Sequence, residues 1–333
     1  MKIAIFAAGT GGHIYPALSI AKKFGEENVI FFASNRDIEK KIFSKTNYQV
    51  INLNISGFRG KSLFEKILWP LTFLMAALRV LFEMIKFRPK HSLLMGGYIS
   101  IIGIFASSIL FRKIFIHEQN SVLGTANKIG AFFATKIFTS YELNISRELH
   151  LGHPVRQGFN NLNYSKVLDK DHILVLGGSQ GAHFFNNIIS NLIEKSNLSL
   201  KTYFQIGLDS QKESSKNVEY VRFIENIEER MSKAKFIICR SGASTVAEVQ
   251  TMGLPAIFIP LPSSIDGHQL RNAELACAEG GGVIVNENNF NEQDFLRLVK
   301  DFDQKNLIDM SKKMHKHIHL LSAEKIANEI KQH

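Results

Sequence analysis

Two glycine-rich turns carry the residues best suited to chemistry in this 333-residue chain. The first reads Ala8-Gly9-Thr10-Gly11-Gly12-His13 and leads toward a helix starting near Tyr15-Pro16-Ala17. The second reads Gly177-Gly178-Ser179-Gln180-Gly181-Ala182. Each follows an apolar β-type run. Glycine lets backbone approach a ligand closely, and the free amides at a helix N-terminus suit an anion. Neither turn has the dinucleotide spacing: in the first, Ile14 stands where the third glycine of G-x-G-x-x-G belongs. No Gly-Lys-Ser/Thr follows to make a Walker loop. Taken singly, each fits a tight turn that holds no ligand. Taken together, each opening one half of the chain, they suggest two anionic or sugar-bearing ligands meeting across a cleft.

The elements that must hold these turns are legible as alternating strands and helices. Apolar runs predict strands at residues 2–8, 28–33, 48–53, 92–95, 113–117 and 136–140. A second series follows at 172–176, 201–206, 218–224, 236–239, 256–260 and 282–285. Continuous apolar strands suit sheets covered on both faces, and their alternation with helical patterns predicts parallel, doubly wound α/β sheets. Gly152-His153-Pro154-Val155-Arg156 and a polar stretch over 157–171 separate the series. The expected domains are therefore 1–155 and 156–333. The last helices fall near 306–315 and 322–332, and the final one is expected to pack back on the first domain. Ligands of open α/β sheets bind at the carboxyl ends of the strands.

Composition narrows the field. Hydrophobic residues make up 45% of the chain and charged residues 21%, so a folded core is expected rather than disorder. The formal net charge of +10 favours anionic partners. The lysines are dispersed without a basic run, which argues against nucleic acid. Cys239 and Cys277 form no metal-ligand spacing and read as buried thiols.

Together with further segments, the two turns resemble the MurG family, transferases that convert the first lipid-linked cell-wall intermediate into the second. The matching pieces are Gly9-Thr10-Gly11-Gly12-His13, Ile55-Ser56-Gly57-Phe58-Arg59-Gly60, Gly96-Gly97-Tyr98, His117-Glu118-Gln119-Asn120, Gly177-Gly178-Ser179-Gln180-Gly181, Cys239-Arg240-Ser241-Gly242-Ala243, Glu248, and His268-Gln269 with Asn272-Ala273. They stand in family order over most of the chain. Two departures touch loop geometry: Ala8 precedes Gly9 where relatives often have a second glycine, and His153 precedes Pro154 where Asn is usual.

The resemblance implies a GT-B fold, two Rossmann-like domains facing across a cleft. It implies an inverting transfer of N-acetylglucosamine from UDP to the C4 hydroxyl of an undecaprenyl-diphosphate-linked muramyl-pentapeptide, giving a β-1,4 linkage. The first domain would take the acceptor and the second the UDP-sugar, with no catalytic metal and no cofactor. His13 is the implied general base, since imidazole accepts a proton near neutral pH and a helix N-terminus favours its neutral form. A role binding the acceptor diphosphate or sugar competes with that. Donor contacts are implied for Thr10, Gly11, Gly12, Asn120, Arg156, Ser179, Glu248 and Gln269, with the backbone of Ile224 on uracil. Glu248 would accept the ribose hydroxyls; read from the helix alone, it is a solvated carboxylate. Tyr98, His117 and Glu118 would shape the acceptor pocket. His268 stands where some relatives carry a second Gln.

Residues 62–87 hold two apolar stripes at helical spacing, one through Leu71, Leu74, Leu78 and Phe82, the other through Trp69, Phe73, Ala77, Val80 and Met84. The uninterrupted apolar core is shorter than the 20 or so residues a bilayer span needs, and Pro70 is expected in a first helical turn. A second stripe wants an apolar neighbour, and the nearby basic residues suit an anionic bilayer. Trp69, Phe73, Leu74 and Leu78 are the expected membrane contacts. A helix buried between other elements fits the same pattern. The implied location is peripheral, on the cytoplasmic face of the plasma membrane, with cell-wall synthesis proteins as further partners. Competing readings are another GT-B transferase, a UDP-N-acetylglucosamine epimerase, or a non-catalytic scaffold binding lipid or nucleotide-sugar.

Overall fold

The computed structural model of the protein describes residues 1–9, 11–55, 57, 62–164, 170–178, 182–207 and 210–333. The chain divides into two compact units, Met1–Arg156 with Ile318–His333, and Gln157–His317.

The first unit is built on strands β1 (Ile3–Phe6), β2 (Val29–Ser34), β3 (Gln49–Leu53), β4 (His91–Leu94), β5 (Lys113–Glu118), β6 (Lys136–Thr139) and β7 (Glu148–His150). They are ordered β3-β2-β1-β4-β5-β6-β7, and every pair is parallel. Helices α1 (Gly11–Ala21), α2 (Asp37–Phe43), α3 (Leu63–Phe87), α4 (Gly97–Ile109) and α5 (Thr125–Ala131) connect them. The central strands are buried on both faces, which accounts for their unbroken apolar runs. One face packs Ile5, Phe31 and Phe115 under α1; the other packs Phe6, Phe32 and Ile116 under α3 and α4.

The second unit contains β8 (His172–Leu176), β9 (Lys201–Gln205), β10 (Val218–Val221), β11 (Ala234–Cys239), β12 (Ala256–Phe258) and β13 (Gly282–Ile284). Their order is β10-β9-β8-β11-β12-β13, again parallel throughout. A π-helical turn, Phe185–Ile189, runs into α6 (Ser190–Lys195). Helices α7 (Ile227–Lys233), α8 (Ala243–Met252), α9 (His268–Cys277), α10 (Glu292–Gln304) and α11 (Ile308–Met314) follow. The last helix, α12 (Ser322–Gln332), belongs to the first unit. It puts Ile326, Ala327 and Ile330 into the cluster that holds Ile3, Ile5 and Ile14.

Four expectations need correction. Strand β7 was not foreseen, because three residues with no fully buried side chain make no apolar run. Helix α1 begins at Gly11, so His13 lies inside its first turn rather than before it. Pro70 stands in the interior of α3, seven residues beyond its first. The segment Ile67–Phe87 is long and apolar enough to cross a membrane, at mean hydropathy 1.6, so the short apolar core understated the helix.

Helix α3 separates its two stripes. Ala76, Ala77, Val80 and Met84 are buried in the core, with Trp69 and Phe73 half-buried against it. Phe73 packs on Trp69, ring centres 5.2 Å apart, and on Phe105 of α4 at 6.3 Å. Trp69 and Phe73, expected on a membrane face, thus side with the inward stripe. Leu71, Leu74, Met75, Leu78, Phe82 and Ile85 are exposed.

Candidate active site

Strand order reverses direction at β1/β4 in the first sheet and at β8/β11 in the second. At such a switch point neighbouring crossovers leave on opposite faces and open a crevice at the strand carboxyl ends. Each glycine turn falls at one of these points.

In the first unit, Gly9 after β1 and Gly96 after β4 adopt φ of +109° and +91°, where an L side chain is strained. Both glycines face the His13 imidazole. A Cβ on Gly9 would lie 3.6 Å from Nδ1, and one on Gly96 3.4 Å from Nε2. The two turns therefore cradle the ring of the residue expected to act as base. Gly97 has φ +74° and open space over it. Tyr98 half-emerges beside Gly57, and its hydroxyl has no hydrogen-bond partner among the described residues.

Strand β5 ends in His117 and Glu118, both buried. Glu118 is 2% exposed, and all its acceptor capacity faces inward. Oε1 accepts from the Asn120 backbone at 3.0 Å and the Asn120 side chain at 3.3 Å. Oε2 accepts from the Gly124 backbone at 2.9 Å and Asn127 Nδ2 at 2.8 Å. Glu118 thus ties the 119–127 turn together, consistent with shaping a pocket rather than gripping a ligand. Burial pushes the His117 imidazole down to about 4, and repulsion from His13 adds to it. His153 lies behind it, ring centres 5.9 Å apart, and is lowered by burial and by His117, His319 and His13. The His153 backbone amide donates to His319 Nδ1 at 2.9 Å, so the His319 ring secures the returning C-terminal segment to this turn. Arg156 closes the unit with its guanidinium 5.0 Å from the centre of the Tyr15 ring.

In the second unit, Gly178 after β8 and Gly242 after β11 both have open space where a Cβ would sit. Gly242 caps α8, whose free amides point past it. Glu248 on α8 is buried, not the solvated carboxylate of the bare helical reading. Ser241 Oγ donates to the Gln269 carbonyl at 2.7 Å, and Asn272 Nδ2 donates to the Ser241 carbonyl at 3.2 Å. Gln269 Oε1 accepts from the Leu261 amide at 3.0 Å, leaving the Gln269 NH₂ for other partners. The Ile224 amide donates to Gln205 Oε1 at 3.1 Å, while Gln205 Nε2 donates to the Gly178 carbonyl at 3.3 Å. Gln205 thereby links the glycine turn to the Ile224 loop.

Within their own units, the structure gathers His13, Tyr98, His117, Glu118 and Asn120 around β1, β4 and β5, and Ile224, Glu248 and Gln269 around β10, β11 and β12. Thr10 and Ser179 lie outside the described residues, as do Ser56 and residues 58–60. The sequence reading missed Asn127, Gln205 and Arg240. Arg240 pairs with Glu287 and donates to the Ile259 and Pro260 carbonyls at 3.1 and 3.2 Å. Its place inside Cys239-Arg240-Ser241-Gly242-Ala243 was the available signal. Among the described residues, no group of three His, Cys, Asp or Glu side chains is placed to hold a metal ion. A polar cavity of about 560 Å³ between the α6 segment and the β9–β10 loop is lined by Asn186, Asn187, Asn191 and Lys212, and by none of the expected donor residues.

Two doubly wound parallel units, each with a glycine turn at its switch point, have the architecture of the GT-B glycosyltransferases. Residues 3–139 match the glycosyltransferase family 28 N-terminal domain and residues 172–330 its C-terminal domain. The chain belongs to the MurG family within that group. It is 34% identical to the UDP-N-acetylglucosamine–N-acetylmuramyl-(pentapeptide) pyrophosphoryl-undecaprenol N-acetylglucosamine transferase of Buchnera aphidicola, covering 94% of each chain. It is 33% identical to the enzyme of the same name from Francisella tularensis, over 99% of this chain and 97% of the relative. The crystal structure of Acinetobacter baumannii MurG superposes over 100% of both chains with a TM-score of 0.80 at 25% identity.

Proposed function

We propose that this protein transfers N-acetylglucosamine from UDP-N-acetylglucosamine to the C4 hydroxyl of the muramyl sugar on an undecaprenyl-diphosphate-linked muramyl-pentapeptide, a step of peptidoglycan synthesis. The observation that carries the reading is the likeness, over nearly the whole chain, to enzymes named for this transfer.

In this reading the acceptor hydroxyl attacks the anomeric carbon from the face opposite UDP. A new carbon–oxygen bond forms as the bond to the diphosphate breaks, so the configuration inverts. His13 takes the hydroxyl proton. Its first-turn position on α1 favours that role, because the positive end of a helix disfavours imidazolium before reaction. Negative charge developing on the diphosphate is received by amides of the second glycine turn, including Ser179, and by the N-terminus of α8. Glu248 accepts the ribose hydroxyls, the Ile224 backbone meets uracil, and Gln269 and Asn120 bind the sugar. Thr10, Gly11, Gly12 and Arg156 complete the donor contacts, and Tyr98 the acceptor pocket. The first unit takes the acceptor and the second the donor.

The acceptor's lipid requires a bilayer surface. Leu74 and Leu78, 49% and 57% exposed, lead an apolar face that continues through Phe82 and Ile85. Because the opposite face of α3 is core, it suits lying on an anionic membrane at the cytoplasmic side, with Arg79, Lys86 and Arg88 toward lipid headgroups.

The test is transfer of labelled N-acetylglucosamine from UDP to purified lipid-linked muramyl-pentapeptide, with and without chelator, for the wild type and His13→Ala. The reading expects chelator-resistant transfer, and a His13→Ala loss in turnover rather than in UDP affinity. Folded, UDP-binding protein without transfer would overturn the acceptor assignment.

A further inference from the structure

Glu39, on α2, is fully buried. A buried carboxylate is costly unless its bonds are needed. Oε1 accepts from the Gly9 amide at 2.7 Å and from the Ser34 hydroxyl at 2.5 Å. Oε2 is equally buried and makes no hydrogen bond among the described residues. Glu39 has no cation beside it among the described ion pairs.

Gly9 explains why an acceptor is required there. At φ +109° its amide neither joins the β-sheet ladder nor enters the α1 hydrogen bonds. Left unmet, it would be a buried orphan donor in a turn that needs one conformation only. A carboxylate reaching across from 30 residues downstream holds it. The same Gly9 faces the Nδ1 side of His13, while Gly96 faces the Nε2 side, and a Cβ on either would stand at van der Waals distance from the ring. The bond also removes the Gly9 amide from the donors a phosphate could use.

We infer that Glu39 is a positioning residue of the transfer reaction: by holding the Gly9 amide it fixes the turn that sets the His13 ring. The inference rests on the reading of His13 as the acceptor-side base. What Glu39 supplies is one hydrogen-bond acceptor. Glu39→Gln keeps that acceptor and exchanges an oxygen that bonds nothing, whereas Glu39→Ala removes it.

The experiment measures kcat and the donor KM for the full chain in the transfer assay, with UDP binding and thermal unfolding alongside. Glu39→Ala is expected to lower kcat about 10- to 100-fold, with UDP affinity within about twofold, since the residues assigned to uracil, ribose and diphosphate lie in the other unit. Glu39→Gln is expected to restore kcat to within about fivefold of wild type. Ser34→Ala frees the carboxylate from its second partner without emptying the site. It is expected to give a smaller fall in kcat, about two- to fivefold, at unchanged UDP affinity, and it serves if Glu39→Ala does not fold. Unchanged kcat in both Glu39→Ala and Ser34→Ala would overturn the inference. So would a Glu39→Gln enzyme as slow as Glu39→Ala, or a loss of UDP affinity matching the fall in kcat. Absence of transfer by the wild type would instead overturn the function proposed above.

Discussion

Replacing Glu118 by Gln, ordinarily the mildest change available to a carboxylate, is expected to be severe here. Both oxygens are occupied, each by one backbone amide and one side-chain amide. A glutamine must put an NH₂ where one oxygen was. On the Oε1 side it meets the Asn120 amide, and on the Oε2 side the Gly124 amide. Asn127 can turn its own amide to accept, since its Oδ1 is unpartnered, but a backbone N–H cannot. One buried donor is therefore left facing another donor, a loss of about 2 kcal/mol. Glu118→Ala forfeits the three short bonds together, about 3 kcal/mol at about 1 kcal/mol each. At about 2–4 °C per kcal/mol for a unit of this size, melting should fall by about 4–8 °C for Gln and about 6–12 °C for Ala. Scanning calorimetry measures this directly, and the transfer assay should show kcat falling more than about tenfold, because the displaced Asn127 borders the same Gly96 turn as His13. A Glu118→Gln protein melting within about 1 °C of wild type would refute the accounting. Glu39 differs: there the same substitution is expected to be tolerated, because one oxygen is idle among the described residues.

Other outcomes follow from the same structure. Glu248→Ala should raise the donor KM about 30-fold, equivalent to about 2 kcal/mol of lost hydroxyl bonding, and steady-state kinetics with an unchanged KM would remove it from the ribose site. Leu74→Glu with Leu78→Glu should abolish sedimentation with anionic vesicles while leaving the melting temperature unaltered, because both side chains are exposed; unfolding would place that stripe in the core. Stability should fall on acidification. His117 and His319 have folded values near 4 and 3, below the ordinary 6.5, so the unfolded chain binds more protons between those limits. Their contribution is complete above about pH 6.5 and is lost as pH drops toward 4 and then 3. By pH 5 the loss should be about 2 kcal/mol per histidine, read as a lower urea midpoint, and a midpoint that is flat from pH 7 to 5 would contradict their burial as neutral rings.

Much of this architecture was legible because its causes are local. Strands such as Ile3–Phe6 and Val29–Ser34 are buried on both faces, and only a continuous apolar run can satisfy that. The glycine turns announced themselves because their conformations admit little else. The rest depends on which polar groups become buried, and sequence does not carry that. Glu39 reads as one charge among several on a short, mostly polar helix. Gln205 is a polar strand ending. Glu118 was quoted for its motif, yet its four donors are set by a turn whose path no periodicity encodes. The two stripes of α3 were visible, but which one faces the core was decided by the neighbouring α4.

The return of residues Ile318–His333 to the first unit bears on the order in which the protein is made. The second unit is one continuous stretch of chain, whereas the first is interrupted by it. During synthesis the β1–β7 sheet can assemble early, but the surface around Ile14 and Ala17 stays uncovered until α12 emerges. Throughout that interval the whole of the second unit is translated and free to fold. The half of the enzyme begun first is thus the half finished last.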